Sequence, residues 1–392
     1  MSPVNLQLTL PGYRVIRVES KHWMRIYLAA LDTPRSCPKC AGVKLRSKGR
    51  YERRARHLEC LGHPTEIIIT CRRFRCLGCT ASFVQPLPGL RPGRRTSEPL
   101  RQEIYERHHD GIAASTLARR EDLGAATVSR IYAQFTERKA KERISLDCPA
   151  VLGIDEHTLH KGQRFATTFC DLKQRRIFDI SPGRSEAELR SYLASLRGRE
   201  KVKVVCIDLS DSYRALIKRW FPNAVIVADR FHAVRLAGLH LMRVARQLCP
   251  ELGWKRSWLG VLRMRQDRLD PERRQRLARL FALHPQLKPV YEMKEKLCAL
   301  LCLKTLSKRA CHHRVPELLQ AIQTLQESGL SAALTLAQSL SAWKEEIVRM
   351  WRFTRNNGIT EGFHRKMKLI QRRAYGFRSF NNYRLRVIAQ CG

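Results

Sequence analysis

Val151-Leu152-Gly153-Ile154-Asp155-Glu156 and, further along, Val202-Lys203-Val204-Val205-Cys206-Ile207-Asp208 are two short apolar runs, each closing on a carboxylate. Runs of about four to eight aliphatic residues, rich in β-branched side chains and bounded by polar ones, read as buried strands. Around them the apolar period changes repeatedly. Phe165 to Cys170, Arg176 to Ile180 and Ala224 to Ala228 are strand-like, whereas 185–197 and 211–220 are helical. Strands alternating with helices predict an α/β sheet over 150–232. Beyond it, 231–355 has only helical periodicity, expected to break at Pro250, Pro271, Pro285, Pro289 and Pro316, and a last helix is predicted from about 359 to 372.

Upstream of the sheet the texture differs. Residues 1–84 hold short β-like runs (Leu58 to Cys60, Ile67 to Thr70, Ser82 to Val84) among clustered Cys, and 85–96, rich in Pro, Gly and Arg, reads as a linker. Residues 97–145 read as helices. The expected organisation is therefore a β-rich domain (1–84), the linker (85–96), a helical domain (97–145), an α/β domain (150–232), a helical insertion (233–355) and a closing segment (356–392). Trp254, Trp258, Trp343 and Trp351 fall in the helical stretch, where core packing is the expectation.

The 392 residues carry a formal net charge of +39, with 74 Lys and Arg against 35 Asp and Glu. Basic character runs the whole length instead of forming one amphipathic helix, which favours nucleic acid over a membrane surface as the polyanionic partner. No apolar run approaches the roughly 18 residues of a membrane span, and the opening Met1-Ser2-Pro3-Val4-Asn5-Leu6 lacks a leader's pattern, so neither secretion nor membrane insertion is expected. The 14 Cys are too sparse for a disulfide scaffold. Cys170, Cys206, Cys298 and Cys302 sit singly in apolar runs, as reduced thiols in a cytoplasmic protein do.

Cys37-Pro38-Lys39-Cys40 and Cys76-Leu77-Gly78-Cys79 are two CxxC pairs separated by a β-rich stretch. Two thiolates with two residues between them wrap one face of a tetrahedral metal, and a second pair closes it. The pattern is that of a zinc ribbon. Four ligands leave no open position, so the zinc is expected to be structural. Cys60 and Cys71 are rival ligands outside either pair. Arg72, Arg73 and Arg75, beside the second knuckle, are candidate phosphate contacts.

Ser115 to Tyr132 has the layout of a helix-turn-helix. Leu117 and Ala118 face inward on the first helix, Gly124 allows a tight turn, and Val128, Ile131 and Tyr132 form the apolar stripe of the second. Ala126, Thr127, Ser129 and Arg130 then face a DNA groove.

A strongly basic chain has few carboxylates, and those at strand ends stand out. Asp155 and Asp208 are expected at the carboxyl-terminal edges of neighbouring strands, where open α/β sheets put their sites. Paired carboxylates there suit divalent cations, and two Mg²⁺ (or Mn²⁺) ions roughly 4 Å apart clamp in-line phosphodiester chemistry. A third acid is needed, and the candidate is Glu361. On its helix Phe363, Met367 and Ile370 make a core stripe, while Glu361, Arg365, Lys368 and Arg372 share another face, an acid followed by a basic track for DNA. Asp211 is the substitute for Asp208. Asp229 and His232 are second-rank candidates: Asp229 reads equally as a helix cap, and His232 reads as a core or capping residue before a base.

These parts together resemble the DDE transposases of bacterial insertion sequences, specifically the ISL-three family. The resemblance covers nearly the whole chain and rests on the two knuckles with Arg72-Arg73-Phe74-Arg75-Cys76, on Gly153-Ile154-Asp155-Glu156, on Asp208-Leu209-Ser210 through Tyr213 to Phe221-Pro222-Asn223-Ala224 and Asp229-Arg230-Phe231-His232, and on Thr360-Glu361-Gly362 through Arg372-Arg373-Ala374-Tyr375-Gly376-Phe377-Arg378. It implies an RNase H-like core with Asp155, Asp208 and Glu361 as the acidic triad, a helical insertion before the Glu, and cut-and-paste movement of a DNA element ending in inverted repeats. The expected partners are double-stranded DNA, both element ends and target, and further copies of the chain assembled on it. The rivals are a non-catalytic regulator derived from a transposase and a structure-specific nuclease on the same fold.

Overall fold

The chain forms two units, Met1–Lys139 and Ala140–Gly392. The computed structural model describes residues 10–160, 164–251, 256–353 and 358–392. The opening hexapeptide, Trp254, and Asn356 and Asn357 lie outside the described residues.

In the first unit, Met24-Arg25-Ile26-Tyr27-Leu28 alternates buried and more exposed side chains at strict period two, and Ile67, Ile68 and Ile69 are all buried. Alternation marks a one-sided strand and a continuous apolar run a central one. They become β2 (Met24–Ala30) and β4 (His63–Cys76), which pair in parallel. β1 (Tyr13–Ser20) flanks β2, and β3 (Leu45–Cys60) and β5 (Ser82–Val84) flank β4, all antiparallel. β1 and β2 were not anticipated, and they give this unit a larger core than two knuckles require: Met24, Ile26, Leu28, Ala55, Ile67, Ile69 and Cys71, joined by Leu10, Leu87 and Leu90. Each fully buried Leu or Ile contributes about 1.5–3 kcal/mol. Residues 85–96, expected as a linker, are consequently packed and pinned. Leu87 and Leu90 enter the core, the Arg56 N–H donates to Arg95 O (2.9 Å), and the Ser97 N–H donates to Arg56 O (2.9 Å).

Ser97 caps α1 (Glu98–His109), accepting from the Leu100 N–H. α2 (Ala114–Arg120) and α3 (Ala125–Arg143) follow, and Leu117, Val128, Ile131 and Tyr132 are buried as the apolar stripes require, with Tyr105 stacked on Tyr132 and Phe135. The tight turn between α2 and α3 is made differently from the expectation. Its left-handed residue is Asp122 (φ 47°), not Gly124. The short polar Asp side chain tolerates that backbone region, and here it also pairs with Arg56.

The second unit is built on a five-stranded sheet in the order β10-β9-β6-β7-β8. β6 (Val151–His160), β7 (Arg164–Asp171) and β8 (Arg176–Pro182) run antiparallel to their neighbours, whereas β9 (Val204–Ile207) lies parallel to β6, and β10 (Val225–Ala228) parallel to β9. Successive side chains point to opposite faces. Ile154, Phe169, Val205 and Ile207 join a core with α4 (Glu186–Ser195), α5 (Asp211–Trp220) and α6 (Arg230–Leu248), whereas Cys170 and Cys206 join a second core with α13 (Gly358–Arg373) and α14 (Phe380–Cys391).

Between α6 and α13 come α7 (Arg256–Arg263), α8 (Pro271–Leu283), α9 (Leu287–Leu301), α10 (Lys308–Glu327), α11 (Ser331–Ala342) and α12 (Lys344–Arg352). The 233–355 segment is no detached appendage. Residues of α9 to α12, with Trp343 and Trp351 fully inside, share the core that covers the sheet, while α7 and α8 close a smaller core of their own against α6. Pro316 does not break the helical run as expected; it lies inside α10. The lost N–H costs roughly 3 kcal/mol, and the burial of Leu318, Ala321, Ile322 and Leu325 along the following turns offsets it.

Candidate metal centre and carboxylate site

The first unit's site is assembled by a hairpin. β3 and β4 are long strands whose far ends meet in the pair Leu45↔Cys76, which brings the knuckle at 76–79 to the one just ahead of β3. Each knuckle is followed by a left-handed residue, Ala41 (φ 57°) and Thr80 (φ 57°), and closed by backbone bonds: Cys37 N–H to Gly42 O and Cys76 N–H to Ala81 O, both 2.9 Å. The turns aim four sulfurs inward. Cys37 Sγ is 3.6 Å from Cys79 Sγ, Cys40 Sγ is 3.6 Å from Cys76 Sγ, and all four lie within 4.8 Å of one another. Zn–S bonds of about 2.3 Å make a tetrahedron with edges of about 3.8 Å, so the donor set fits zinc. Backbone N–H groups of Cys79 and Gly78 bring the Cys76 thiol down to about 7, whereas, against the Gly42 N–H, the hydrogen bonds with Cys79 and Cys76 push the Cys40 thiol up to about 12, so the four sulfurs share protons that a bound metal would displace. Cys60 and Cys71 stand outside the cluster, Cys71 buried in the sheet core. Arg72, Arg73 and Arg75 are exposed on β4, and on α3 Ser129 and Arg130 are exposed and Thr127 half-exposed.

The second unit's site lies where the sheet splays. β9 pairs with β6 only over Val151–Gly153, while β6 runs on beside β7. Asp155 is therefore not at the end of its strand, as expected, but inside it, opposite Thr168, just past the point where the parallel neighbour leaves. Asp208 and Asp229 follow the last residues of β9 and β10 directly, and the Asp229 N–H donates to Ile207 O (2.6 Å), which fixes those two strand ends side by side.

Burial raises the Asp155 carboxyl to about 7, opposed by His232 and reinforced by Asp208 and Asp229, and it raises Asp208 likewise. Asp208 Oδ1 is buried with no hydrogen-bond partner among the described residues. The helix cap that would have explained Asp208 is supplied by Ser210 instead, and Asp211 is 83% exposed and paired with Arg214. Asp229 does cap its helix, accepting from the Phe231 N–H, and also holds His232 Nδ1 at 2.6 Å. A divalent, oxygen-seeking cation would offset the burial of these charges, although among the described residues no three of Asp155, Asp208, Asp229, His232 and Glu361 bring ligand atoms within 4.8 Å of one another.

Glu361 sits in the first turn of α13, its described ion pair being with Arg365 at 3.1 Å. Met367 and Ile370 are buried and Arg365, Lys368 and Arg372 exposed, as the two-face reading requires. No described contact joins Glu361 to Asp155 or Asp208. The link comes from His364, which the sequence reading passed over. Its Nδ1 is 3.8 Å from Asp155 Oδ2, and its Nε2 is 3.1 Å from Thr168 Oγ1. His364 is one turn beyond Glu361, so the two share a side of α13, and that spacing was the available signal. Burial and the neighbouring His157 hold the His364 ring neutral, at about 3.

A hairpin whose four sulfurs fit zinc and carboxylates gathered at the edge of an α/β sheet, in a chain of net charge +39, are features that the comparisons with known proteins place in one family. A family model described as transposase matches residues 152–387, and another, described as zinc-finger of transposase IS204/IS1001/IS1096/IS1165, matches residues 33–79. The chain belongs to the ISL-three family of DDE transposases. Across 98% of its length it is 28% identical to the transposase for insertion sequence element IS1001 of Bordetella parapertussis, of which 97% is covered. Among the described residues no helix is long and apolar enough to cross a membrane.

Proposed function

We propose that this transposase binds the terminal inverted repeats of its own element through residues 1–145 and moves the element by cut-and-paste, cleaving and joining strands at Asp155, Asp208 and Glu361. The observation that carries the reading is the orphaned Asp208 Oδ1 beside an Asp155 whose burial opposes its charge. Carboxylates so placed gain from cations.

The sheet order, three antiparallel strands continued by two parallel ones with helices on both faces, supports an RNase H-like core. α2 and α3 with their exposed Ser129 and Arg130 and half-exposed Thr127 support a helix-turn-helix, and the Arg72, Arg73 and Arg75 edge a second DNA contact. Asp155, Asp208 and Glu361 would hold two Mg²⁺ or Mn²⁺ ions, with Asp229 and His232 bracing the site from α6. When bound, such ions supply Lewis-acid activation of the attacking oxygen and charge relief at the leaving one. The chain's own residues do the positioning. Asp155 is fixed by the β6–β7 ladder, Thr168 holds His364, and His364 sets the turn of α13 that carries Glu361, while Arg365, Lys368 and Arg372 continue along that helix as a track for phosphates. No covalent protein intermediate and no nucleotide is required. Fourteen cysteines with no disulfide among them suit work in the cytoplasm, on the nucleoid, and joining two element ends calls for two or more copies of the chain.

The test is incubation with DNA carrying the candidate inverted repeats that flank its own gene, with Mg²⁺, followed by mapping of 3′ ends. Cleavage at the repeat boundaries is expected. Binding to those repeats with intact strands under all divalent ions would leave a regulator, and cleavage set by DNA structure instead of the repeats would leave a nuclease.

A further inference from the structure

The described residues hold one other group of potential metal ligands. Cys249 ends α6, Glu251 follows one residue after Pro250, and His284 ends α8; a ligand atom from each lies within 4.8 Å of the other two. We infer that Cys249, Glu251 and His284 form a second zinc site, which staples the α7–α8 excursion to α6.

The geometry is specific. His284 Nδ1 and Glu251 Oε1 are 3.3 Å apart, and a tetrahedron with Zn–N and Zn–O bonds of about 2.0–2.1 Å has an edge of about 3.3 Å. Cys249 is fully buried, but its sulfur is not wrapped only in hydrocarbon: Gln286 Nε2 donates to it at 3.0 Å. That N–H orients the sulfur from outside the ligand set, as outer-shell partners do at metal sites elsewhere. Trp258 from α7 lies edge-on against the His284 ring, centroids 5.9 Å apart, which restricts its rotation. One thiolate, one imidazole and one carboxylate are a donor set zinc accepts, whereas Mg²⁺, which takes oxygen, does not compete for it.

The location gives the site a purpose. The excursion between Cys249 and His284 contributes Val261, Leu262, Leu269, Leu277 and Leu280 to a small core that it shares with Met242, Ala245 and Cys249 at the end of α6 and with Leu287 and Tyr291 of α9, apart from the larger core over the sheet. A clip at the base of a long excursion removes loop entropy from its opened states, and metal binding free energy becomes local folding free energy. The site is independent of the acid cluster and of the knuckles at 37–40 and 76–79.

Zinc content of the full-length protein measures it directly, after equilibration with excess Zn²⁺ in a Mg²⁺ buffer and gel filtration. Excess Mg²⁺ keeps oxygen-only sites out of the count. The wild type is expected to hold about two zinc ions per chain, and Cys249→Ala and His284→Gln about one each, since the ribbon site closes without them. Protease nicking within 250–283 should accelerate in both variants and, in the wild type, on chelation. A wild type holding one zinc overturns the proposal, as does a count of two that survives both substitutions. Should Cys249→Ala fail to fold, His284→Gln decides alone. Cobalt substitution gives a second reading: the loss of a one-thiolate spectrum, with the four-thiolate spectrum of the ribbon kept, is expected in His284→Gln, and an unchanged spectrum refutes the site.

Discussion

The two sites of this protein are made in opposite ways. The ribbon draws its four ligands from two tight turns, each CxxC a local unit, and a single hairpin joins them. The carboxylate site draws Asp155 from β6, Asp208 from the end of β9, Asp229 from the end of β10 and His364 from α13, with Glu361 proposed to join them from the same helix, so it exists only when the sheet and both its helical layers have formed. The first is preorganised by turns and holds sulfurs in contact; in the second, burial opposes the charge of Asp155 and Asp208, and neighbouring acids add to it. A site whose residues stabilise the fold only once metal is bound and a site whose residues oppose the fold until metal is bound should fail differently when mutated.

The largest expected effect is at the carboxylates. Asp155→Ala, Asp208→Ala and Glu361→Ala should each lower strand cleavage by about 10³-fold or more, since both cations are needed to activate the attacking oxygen and steady the leaving one, and such a factor corresponds to about 4 kcal/mol of barrier. The fold should not suffer. Removing a buried, unpaired carboxylate relieves repulsion, so the melting temperature of Asp208→Ala without metal should equal or exceed the wild type's. Asp211→Ala is the control and should cleave normally, its side chain being exposed. A dead Asp211→Ala beside an active Asp208→Ala would move the second ligand three residues on. Asp229→Ala should be intermediate, losing a helix cap worth about 1 kcal/mol and the anchor of His232.

At the ribbon the order inverts. Cys37→Ser or Cys76→Ser should release zinc and lower the stability of the first unit by several kcal/mol, because metal binding there is folding free energy, yet the sheet core of Ile26, Leu28, Ile67 and Ile69 should keep β2 and β4 paired. Hydrogen exchange checks this: protection should vanish at the 37–45 and 76–82 ends of the hairpin and persist near Ile67. Uniform loss would mean the knuckles, not the core, hold the unit together.

How much of this was legible follows from the same contrast. The CxxC pairs needed only turn chemistry, and all four ligands, with Cys60 and Cys71 correctly outside, could be read from spacing. Strand-end Asp208 was legible because Ile207 closes an apolar run. The position of Asp155 inside β6 was not, since where β9 parts from β6 is a property of pairing and not of either strand's sequence. His364 was missed because a histidine on a helix gains meaning only from what packs against it, here Asp155 and Thr168. β2 was legible in principle from the alternation of Met24, Ile26 and Leu28, but its partner is β4, whose pairing crosses the long β3. Pro316 was read as a break from its chemistry alone, without the burial that holds α10 together on either side.

A third prediction probes pH in the first unit. His57 is 5% exposed, its Nδ1 2.8 Å from the Ser97 hydroxyl that caps α1, and burial holds its ring down to about 4. A folded-state value below the unfolded value of about 6.5 means that the unfolded chain binds the proton more readily. Stability from this group is therefore complete above about pH 6.5 and is lost as the pH falls toward 4, up to about 3 kcal/mol in all. Thermal melts between pH 7 and 4.5 should show a decline in the first unit that His57→Gln flattens; an unchanged slope in that variant would assign the decline to other groups.

The smallest effect separates the reading of DNA from the holding of it. Arg130 is exposed on α3 one residue past Ser129, and Lys368 is exposed on α13. Both are single cations in a chain with 74, so neither should matter much to bulk attraction. Each phosphate contact contributes about one unit to the slope of log affinity against log salt. Lys368→Ala should reduce that slope by about one for repeat and random DNA alike, since a phosphate contact carries no sequence information. Arg130→Ala, if α3 enters a major groove, should instead cost about 1–3 kcal/mol on the repeats and little on random DNA, narrowing the ratio between them. Titrations of both variants at several salt concentrations tell these apart. Equal losses on both DNAs for Arg130→Ala would make α3 a backbone contact and shift the reading of the repeats to the exposed Arg72, Arg73 and Arg75 edge of β4.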